Sequence, residues 1–280
     1  MIVALIDNGS LEPASYRNLR AVAAAISARA DVQVHAVSWK HSDRIAPELL
    51  DDTPAWTLAP FVRRMVALGQ RDFVFIPFFV SAQGAIGSAL RRELEELQRE
   101  LFSGSPATNA ASFEFTFTDS LAARGVIPTI VAERIRSTIT ARNLRQPPVV
   151  VVDHGGPSAT SAALRDGLAT ALRNLLEREV GPLSAASMEG VHPPLLADHL
   201  ATPAFAQRDV VVAMLFLSPG RHAGPEGDVA QICRTATSAA GASGPRCHPT
   251  DLIGNHPAVA DTLAAALRAT LSILHVNPSA

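Results

Sequence analysis

The chain repeats itself. Residues 2–10 read IVALIDNGS and residues 149–158 read VVVVDHGGPS, each an apolar, mostly β-branched run that closes on Asp, then Asn or His, then Gly. Residues 73–81 (FVFIPFFVS) and 210–218 (VVVAMLFLS) form a second pair, both ending on Ser. A third pair, Thr118-Asp119 and Thr250-Asp251, precedes Pro128 and Pro257. Proline suits the first turn of a helix, where its missing N–H has no intrahelical partner. Three matches in one order, offset by about 130–147 residues, point to a duplicated unit.

The apolar runs lack the polar–apolar alternation of a half-exposed strand, so they predict strands of a parallel sheet buried on both faces. The Ala/Leu-rich stretches 15–29 and 158–178 predict the helices that cover it. The expected fold is therefore α/β: two tandem units, each a parallel sheet with helices on both faces. The boundary is expected near Asn143–Pro148, giving units 1–145 and 146–280. Small-residue loops are expected at 103–112 and 238–245, at matching places in the two halves.

Composition removes several classes of function. With 24 basic against 26 acidic residues, nothing in the charge calls for a nucleic-acid partner or an anionic membrane surface. Cys233 and Cys247 are the only cysteines. Two thiols in 280 residues make no disulfide framework, and a reducing cytoplasm is expected. The apolar start Met1–Ile6 is too short for a signal peptide, and no apolar run is expected to reach the ~18–20 residues needed to span a bilayer. The glycines form neither a Gly-x-Gly-x-x-Gly nor a Gly-x-x-x-x-Gly-Lys-Ser/Thr fingerprint, so no nucleotide is expected.

Ligands of open α/β sheets bind beyond the carboxyl ends of the strands. In the second half those ends carry Asp153-His154-Gly155-Gly156, Glu189 in Ser187–Pro194, and Ser218-Pro219-Gly220-Arg221-His222. Two imidazoles and a carboxylate suit a divalent first-row metal, leave coordination positions open and can also take protons. Glycine lets the backbone approach a large flat ligand. A single loop histidine is as readily a structural residue; it is the conjunction of His154, Glu189 and His222 that points to a site. Cys247 and His248 are adjacent on a strand, point to opposite faces and are not expected to share a metal. His192 either lines the cleft or only precedes two prolines. His35, His41, His199 and His275 read as surface or packing residues, and Trp39 and Trp56 as core residues.

These motifs resemble the class II tetrapyrrole metal chelatases, the CbiX/SirB sirohydrochlorin cobaltochelatase/ferrochelatase group. The resemblance rests on Val152-Asp153-His154-Gly155, on Glu189 to Pro193, and on Leu215-Phe216-Leu217-Ser218-Pro219-Gly220-Arg221-His222 with Asp228 downstream. Leu252-Ile253-Gly254-Asn255-His256-Pro257 adds the entry to the last helix. It covers most of 148–275 and, more weakly, 1–140. It implies insertion of Co2+ or Fe2+, in some relatives Ni2+, into sirohydrochlorin or a related tetrapyrrole without ATP. The metal is then a substrate. His154, His222 and Glu189 would handle metal and protons, with Gly155, Gly156, Ser218, Gly220 and Arg221 against the tetrapyrrole.

Two departures stand out. The family's first motif runs His-Gly-Ser-Arg, where this chain has His154-Gly155-Gly156-Pro157. The first half has Asn8 where the second has His154, Lys40 opposite Glu189, and Ala85 opposite His222, so it is expected to be a structural partner. The alternative to a chelatase is a protein of the same fold that carries a metal or tetrapyrrole without turnover. Fusion of two copies is compatible with a monomer or a homodimer.

Overall fold

The computed structural model describes all residues except 82–84, 104–111, 157–158, 240 and 277–280. Pro157 and most of the 103–112 loop thus lie outside the described residues. The order is β1 (Ile2–Asp7), α1 (Pro13–Ala30), β2 (Val34–Ser38), α2 (Leu58–Ala67), β3 (Asp72–Pro77), α3 (Ala85–Phe102), β4 (Glu114–Phe117) and α4 (Ile127–Arg142). The second half follows with β5 (Val149–Gly156), α5 (Ala159–Leu176), β6 (Leu183–Gly190), α6 (Leu196–Leu200), β7 (Asp209–Met214), α7 (Asp228–Ala239), β8 (Arg246–Pro249) and α8 (Pro257–Val276).

The duplication is structural. One sheet runs β2-β1-β3-β4 and the other β6-β5-β7-β8, and every pairing is parallel. Each sheet has helices on both sides, as the unalternated runs predict. Val149 to Val152 are all fully buried, which only a strand covered on both faces achieves. Helix ends follow local chemistry. Proline opens α1 and α4, and Asp31 and Asn143 take the left-handed conformation at their C-caps. The strands are shorter than the apolar runs. β3 ends at Pro77 and β7 at Met214, and one further bond each, Phe78 N–H to Ile6 and Leu215 N–H to Val152, ends the ladder. Of the remaining apolar residues, Phe78, Phe79 and Leu215 stay buried.

The compact units cross the sequence boundary. One unit comprises Met1–Arg124 with Pro257–Ala280, and the other Gly125–His256. A division at 145/146 separates the two sheets, but α4 and α8 are exchanged: α4 packs on α5 and β7, and α8 packs on α1. A helix buries its apolar stripe where complementary surface exists, and sequence adjacency does not decide where that is. α4 buries Ile127, Ile130, Val131 and Ile135, and α8 buries Val259, Leu263 and Leu267.

α8 also corrects the expectation about apolar stretches. Its window Pro257–Leu274 has mean hydropathy 1.3 and is long and apolar enough to span a membrane by length and composition. Leu, Val, Ile and Ala supply that hydropathy, and Asp261 and Arg268 interrupt it, so no unbroken run announces it. In the fold, α8 lies against α1, where Asp261 pairs with Arg29 and Arg268 donates to the Arg29 carbonyl.

Both tryptophans, Trp39 and Trp56, lie in the first unit, so their fluorescence reports on that unit. Leu267→Ala, although far along the chain in α8, should lower the stability read by tryptophan fluorescence in a urea titration by about 2–5 kcal/mol. An unchanged midpoint would mean that α8 does not belong to this core.

Candidate functional site

The site is built where β5 and β6 pair beyond the usual sheet edge. Asp153 faces Ser187 in the ladder, Gly155 faces Glu189 and Gly156 faces Gly190. Gly155 has φ +85°, and a Cβ there would lie 1.8 Å from the Glu189 carbonyl oxygen. Only glycine permits this approach. It sets the backbones carrying His154 and Glu189 side by side.

His222 comes from the loop after β7. The N–H groups that open α7 close this loop: Asp228 N–H donates to the Arg221 carbonyl at 3.1 Å, and Val229 N–H to the His222 carbonyl at 3.1 Å. First-turn N–H groups have no intrahelical partner, so their use here fixes the backbone of His222 at no cost to the helix.

Three of the sequence-predicted residues meet. His154 Nε2 lies 3.3 Å from His222 Nε2, with the rings at 89° and centroids 4.5 Å apart. Glu189 Oε1 is 3.5 Å from His154 Nε2. Asp228 Oδ2 lies 2.6 Å from His222 Nδ1. A carboxylate on Nδ1 keeps the proton there and leaves the Nε2 lone pair directed at His154. Metal–nitrogen bonds of ~2.0–2.1 Å would span the 3.3 Å between the two Nε2 atoms at an angle of about 105°, near tetrahedral. Among the described residues no group of three or more His, Cys, Asp or Glu is arranged to hold a metal ion. The arrangement is a pair of converging imidazoles flanked by a carboxylate, and it stays open on the solvent side, with the His154 side chain 48% exposed.

By sequence, no family model and no curated protein matches the chain. By structure, it is similar to SirB from Bacillus subtilis with Fe3+ (TM-score 0.63, 15% identity, 96% of each chain covered). It is similar to the sirohydrochlorin chelatase SirB from Bacillus subtilis subspecies spizizenii in complex with cobalt (TM-score 0.61, 15% identity, 99% of this chain and 97% of that one). It is also similar to CbiX, the terminal enzyme for biosynthesis of siroheme in denitrifying bacteria (TM-score 0.59, 15% identity, 96% and 99%). The fold is that of the sirohydrochlorin chelatases.

Within this chelatase fold, the other predicted residues are placed as follows. Gly156 has φ +140°, and a Cβ there would meet nothing within 4 Å, so its need for glycine is conformational. Gly220 lies in the His222 loop, where its carbonyl accepts from Gly224 N–H at 2.9 Å. Ser218 sits in the same loop, half-buried. Arg221 is the most exposed member, with Nε 3.9 Å from Asp228 Oδ2. Cys247 interacts with the Cys233 thiol, whereas His248 bonds Asp209 at 2.9 Å, so the two neighbours do serve different partners. His35 packs on Phe61 with the rings tilted at 52° and His199 bonds Ser184, and burial lowers the pKa of both. The side chain of His275 lies outside the described residues.

The first unit holds the same backbone without the histidine. Gly9 has φ +85°, and a Cβ there would lie 1.7 Å from the Lys40 carbonyl oxygen, as Gly155 does with Glu189. Asp7 faces Ser38 as Asp153 faces Ser187. Asn8 thus stands in the place of His154 and Lys40 in that of Glu189, as the alignment of the two repeats expects. Lys40 Nζ sits 4.2 Å from the Trp39 ring centroid, and Trp39 Nε1 donates to Glu93 at 2.6 Å. Ala85 opens α3, but its side chain is not among those described.

Two contacts at the candidate site escape sequence reading. Asp228 is visible in the motif, but its bond to His222 is not. The chain Arg165–Ser187–Asp153 joins α5, β6 and β5 through residues with no motif to join them.

Burial raises the Asp7 carboxyl to about 6, against bonds from Ser38 and Gly9 N–H that pull it down. The folded protein thus holds this proton more tightly than the unfolded chain. The contribution of Asp7 to stability is largest below the unfolded pKa of 3.8, falls as pH rises towards about 6, and levels off above it. Asp7→Asn, whose amide oxygen still accepts from Gly9, should therefore stabilise the first unit at pH 7.5 by up to about 3 kcal/mol. It should give no gain near pH 3.5. Tryptophan-reported urea titrations at the two pH values make the test, and an equal gain at both would remove ionisation as the cause.

Proposed function

We propose that this chain inserts a divalent metal, Co2+ or Fe2+ and in a further variant Ni2+, into sirohydrochlorin or a related tetrapyrrole without ATP. The observation that carries the reading is the convergence of His154 and His222, Nε2 to Nε2, at 3.3 Å on the carboxyl edge of a chelatase-fold sheet. The fold likeness supports it, since similar structures include SirB with Fe3+ and SirB with cobalt.

The reaction is a ligand exchange. A metal dication enters the macrocycle and two pyrrole protons leave, so the site must present the metal and remove protons. His222 presents its Nε2 lone pair because Asp228 holds the proton on Nδ1. His154 supplies the second nitrogen. Glu189, 3.5 Å from His154 Nε2, is placed to stabilise an imidazolium once His154 takes one proton, and the other passes to water on the open side. Two nitrogen donors hold a metal more loosely than a closed four-ligand site, which suits cargo that must be released. The tetrapyrrole carboxylates are met by Arg221 and by N–H groups of the glycine loops containing Gly155, Gly156 and Gly220, with Ser218 beside them. The scarcity of cysteine suits work in the reducing cytoplasm.

Anaerobic incubation of sirohydrochlorin with Co2+, Fe2+ or Ni2+, followed by its visible spectrum, tests this directly. Metallation above the uncatalysed rate is expected, and His154→Ala or His222→Ala should each abolish it. Tight metal or tetrapyrrole binding by folded protein without turnover would replace the chelatase reading with a carrier. Asp228→Asn keeps the shape but not the charge on Nδ1. It should weaken Co2+ binding about 10–100-fold, measured by the visible d–d absorption of bound cobalt.

A further inference from the structure

α5 carries a guanidinium into the interior of the second unit. Arg165 is 1% exposed. Its Nη1 donates to Ser187 Oγ at 2.5 Å, and Ser187 Oγ donates to Asp153 Oδ1 at 2.6 Å. The same guanidinium reaches the carbonyls of His192 and Pro193, each at 3.4 Å, and Asp166 Oδ1 at 2.8 Å. These contacts bracket Glu189 on both sides, at Ser187 before it and at His192–Pro193 after it. They also tie down Asp153, the residue before His154. The loop between the two bracketing points closes on itself through Ser187 N–H to the Pro194 carbonyl at 2.9 Å.

We propose that Arg165 is a positioning residue for the His154–Glu189 pair: it fixes the two strand ends from which these side chains project, without touching metal or macrocycle. The first unit supplies the comparison. α1 and α5 are each 18 residues long and start six residues after the paired aspartates (Pro13 after Asp7, Ala159 after Asp153). Arg165 therefore corresponds to Leu19, which is fully buried. In that unit Ser42 Oγ takes over, donating to Ser38 Oγ at 2.8 Å. The sheet, the glycine approach and the Asp–Ser pair are kept without any buried guanidinium. Burying a guanidinium is costly, so the shared fold does not explain it. The arginine occurs in the half that has the histidine and is replaced in the half that lost it. What the pair does rests on the function proposed above, but its placement does not.

Two-bond 1H–15N spectra of the imidazoles read that placement without metal or tetrapyrrole. Arg165→Leu, Arg165→Lys and Ser187→Ala would be compared with the unaltered chain. The His154 cross-peaks should shift in Arg165→Leu and Ser187→Ala and return part of the way in Arg165→Lys. Those of His199 and His248, in the same unit but bonded elsewhere, should stay. Co2+ affinity should fall about 10–100-fold while KM for sirohydrochlorin holds. Should Arg165→Leu fail to fold, Ser187→Ala, which removes a hydroxyl and no charge, decides the matter. Folded variants with an unshifted His154 and unchanged Co2+ affinity overturn the positioning role. An unaltered chain that neither binds Co2+ nor metallates tetrapyrrole overturns the proposed function instead, and the His154 spectra still decide the role of Arg165.

Discussion

The candidate site depends on one backbone approach. Where β5 passes β6, the Gly155 backbone lies so near the Glu189 carbonyl that no Cβ fits between them. Around it the β5–β6 ladder runs on to Gly156–Gly190, whereas the β5–β7 pairing ends at Val152–Met214. The residues beside it inherit its precision. His154 is held by a strand on one side and Glu189 by a strand on the other, so their 3.5 Å separation is set by a ladder and not by loop conformation. A constellation built on strands keeps its geometry better than one built on loops. His222 comes from a loop, and it is the residue that needs a second device, the closure by the first turn of α7.

The duplicated unit shows which parts of this arrangement belong to the fold and which to the site. The glycine approach and the Asp–Ser pair occur in both halves. They are therefore scaffold, kept whether or not chemistry follows. The histidine, the carboxylate opposite it and the buried Arg165 occur in the second half alone, where the first has Asn8, Lys40 and Leu19. The two aspartates respond alike. Desolvation is the largest influence on each: it raises Asp7 to about 6 against bonds from Ser38 and the Gly9 N–H, and raises the half-buried Asp153 against Ser187 and the charge of Arg165.

Much of this was legible in the sequence because the fold writes itself in short words. Runs such as Val149–Val152 are buried on both faces, so they lack alternation, and the glycine-flanked His154 and His222 end strands whose order follows from the repeat. What stayed hidden lies between words. The exchange of α4 and α8 depends on which surface complements an apolar stripe, and the linear order Asn143–Pro148 says nothing about that. The span-like hydropathy of α8 makes no visible run because Asp261 and Arg268 interrupt its apolar residues. Arg165 in Leu164-Arg165-Asp166 looks like any helical surface charge, and only the fold turns it inward.

The openness of the site follows from the chemistry proposed for it. A resident metal is best served by four donors and a sealed shell, because every ligand adds to retention. A metal in transit needs the reverse, since each donor must be surrendered while the macrocycle supplies its own nitrogens. Two imidazoles at 3.3 Å satisfy a tetrahedral angle and leave the remaining positions to water and substrate. A carboxylate bonded to an imidazole, as Asp228 is to His222, sharpens the donor without adding a ligand. Glu189 stands 3.5 Å from the other imidazole, so on the proposed mechanism each carboxylate acts through a histidine.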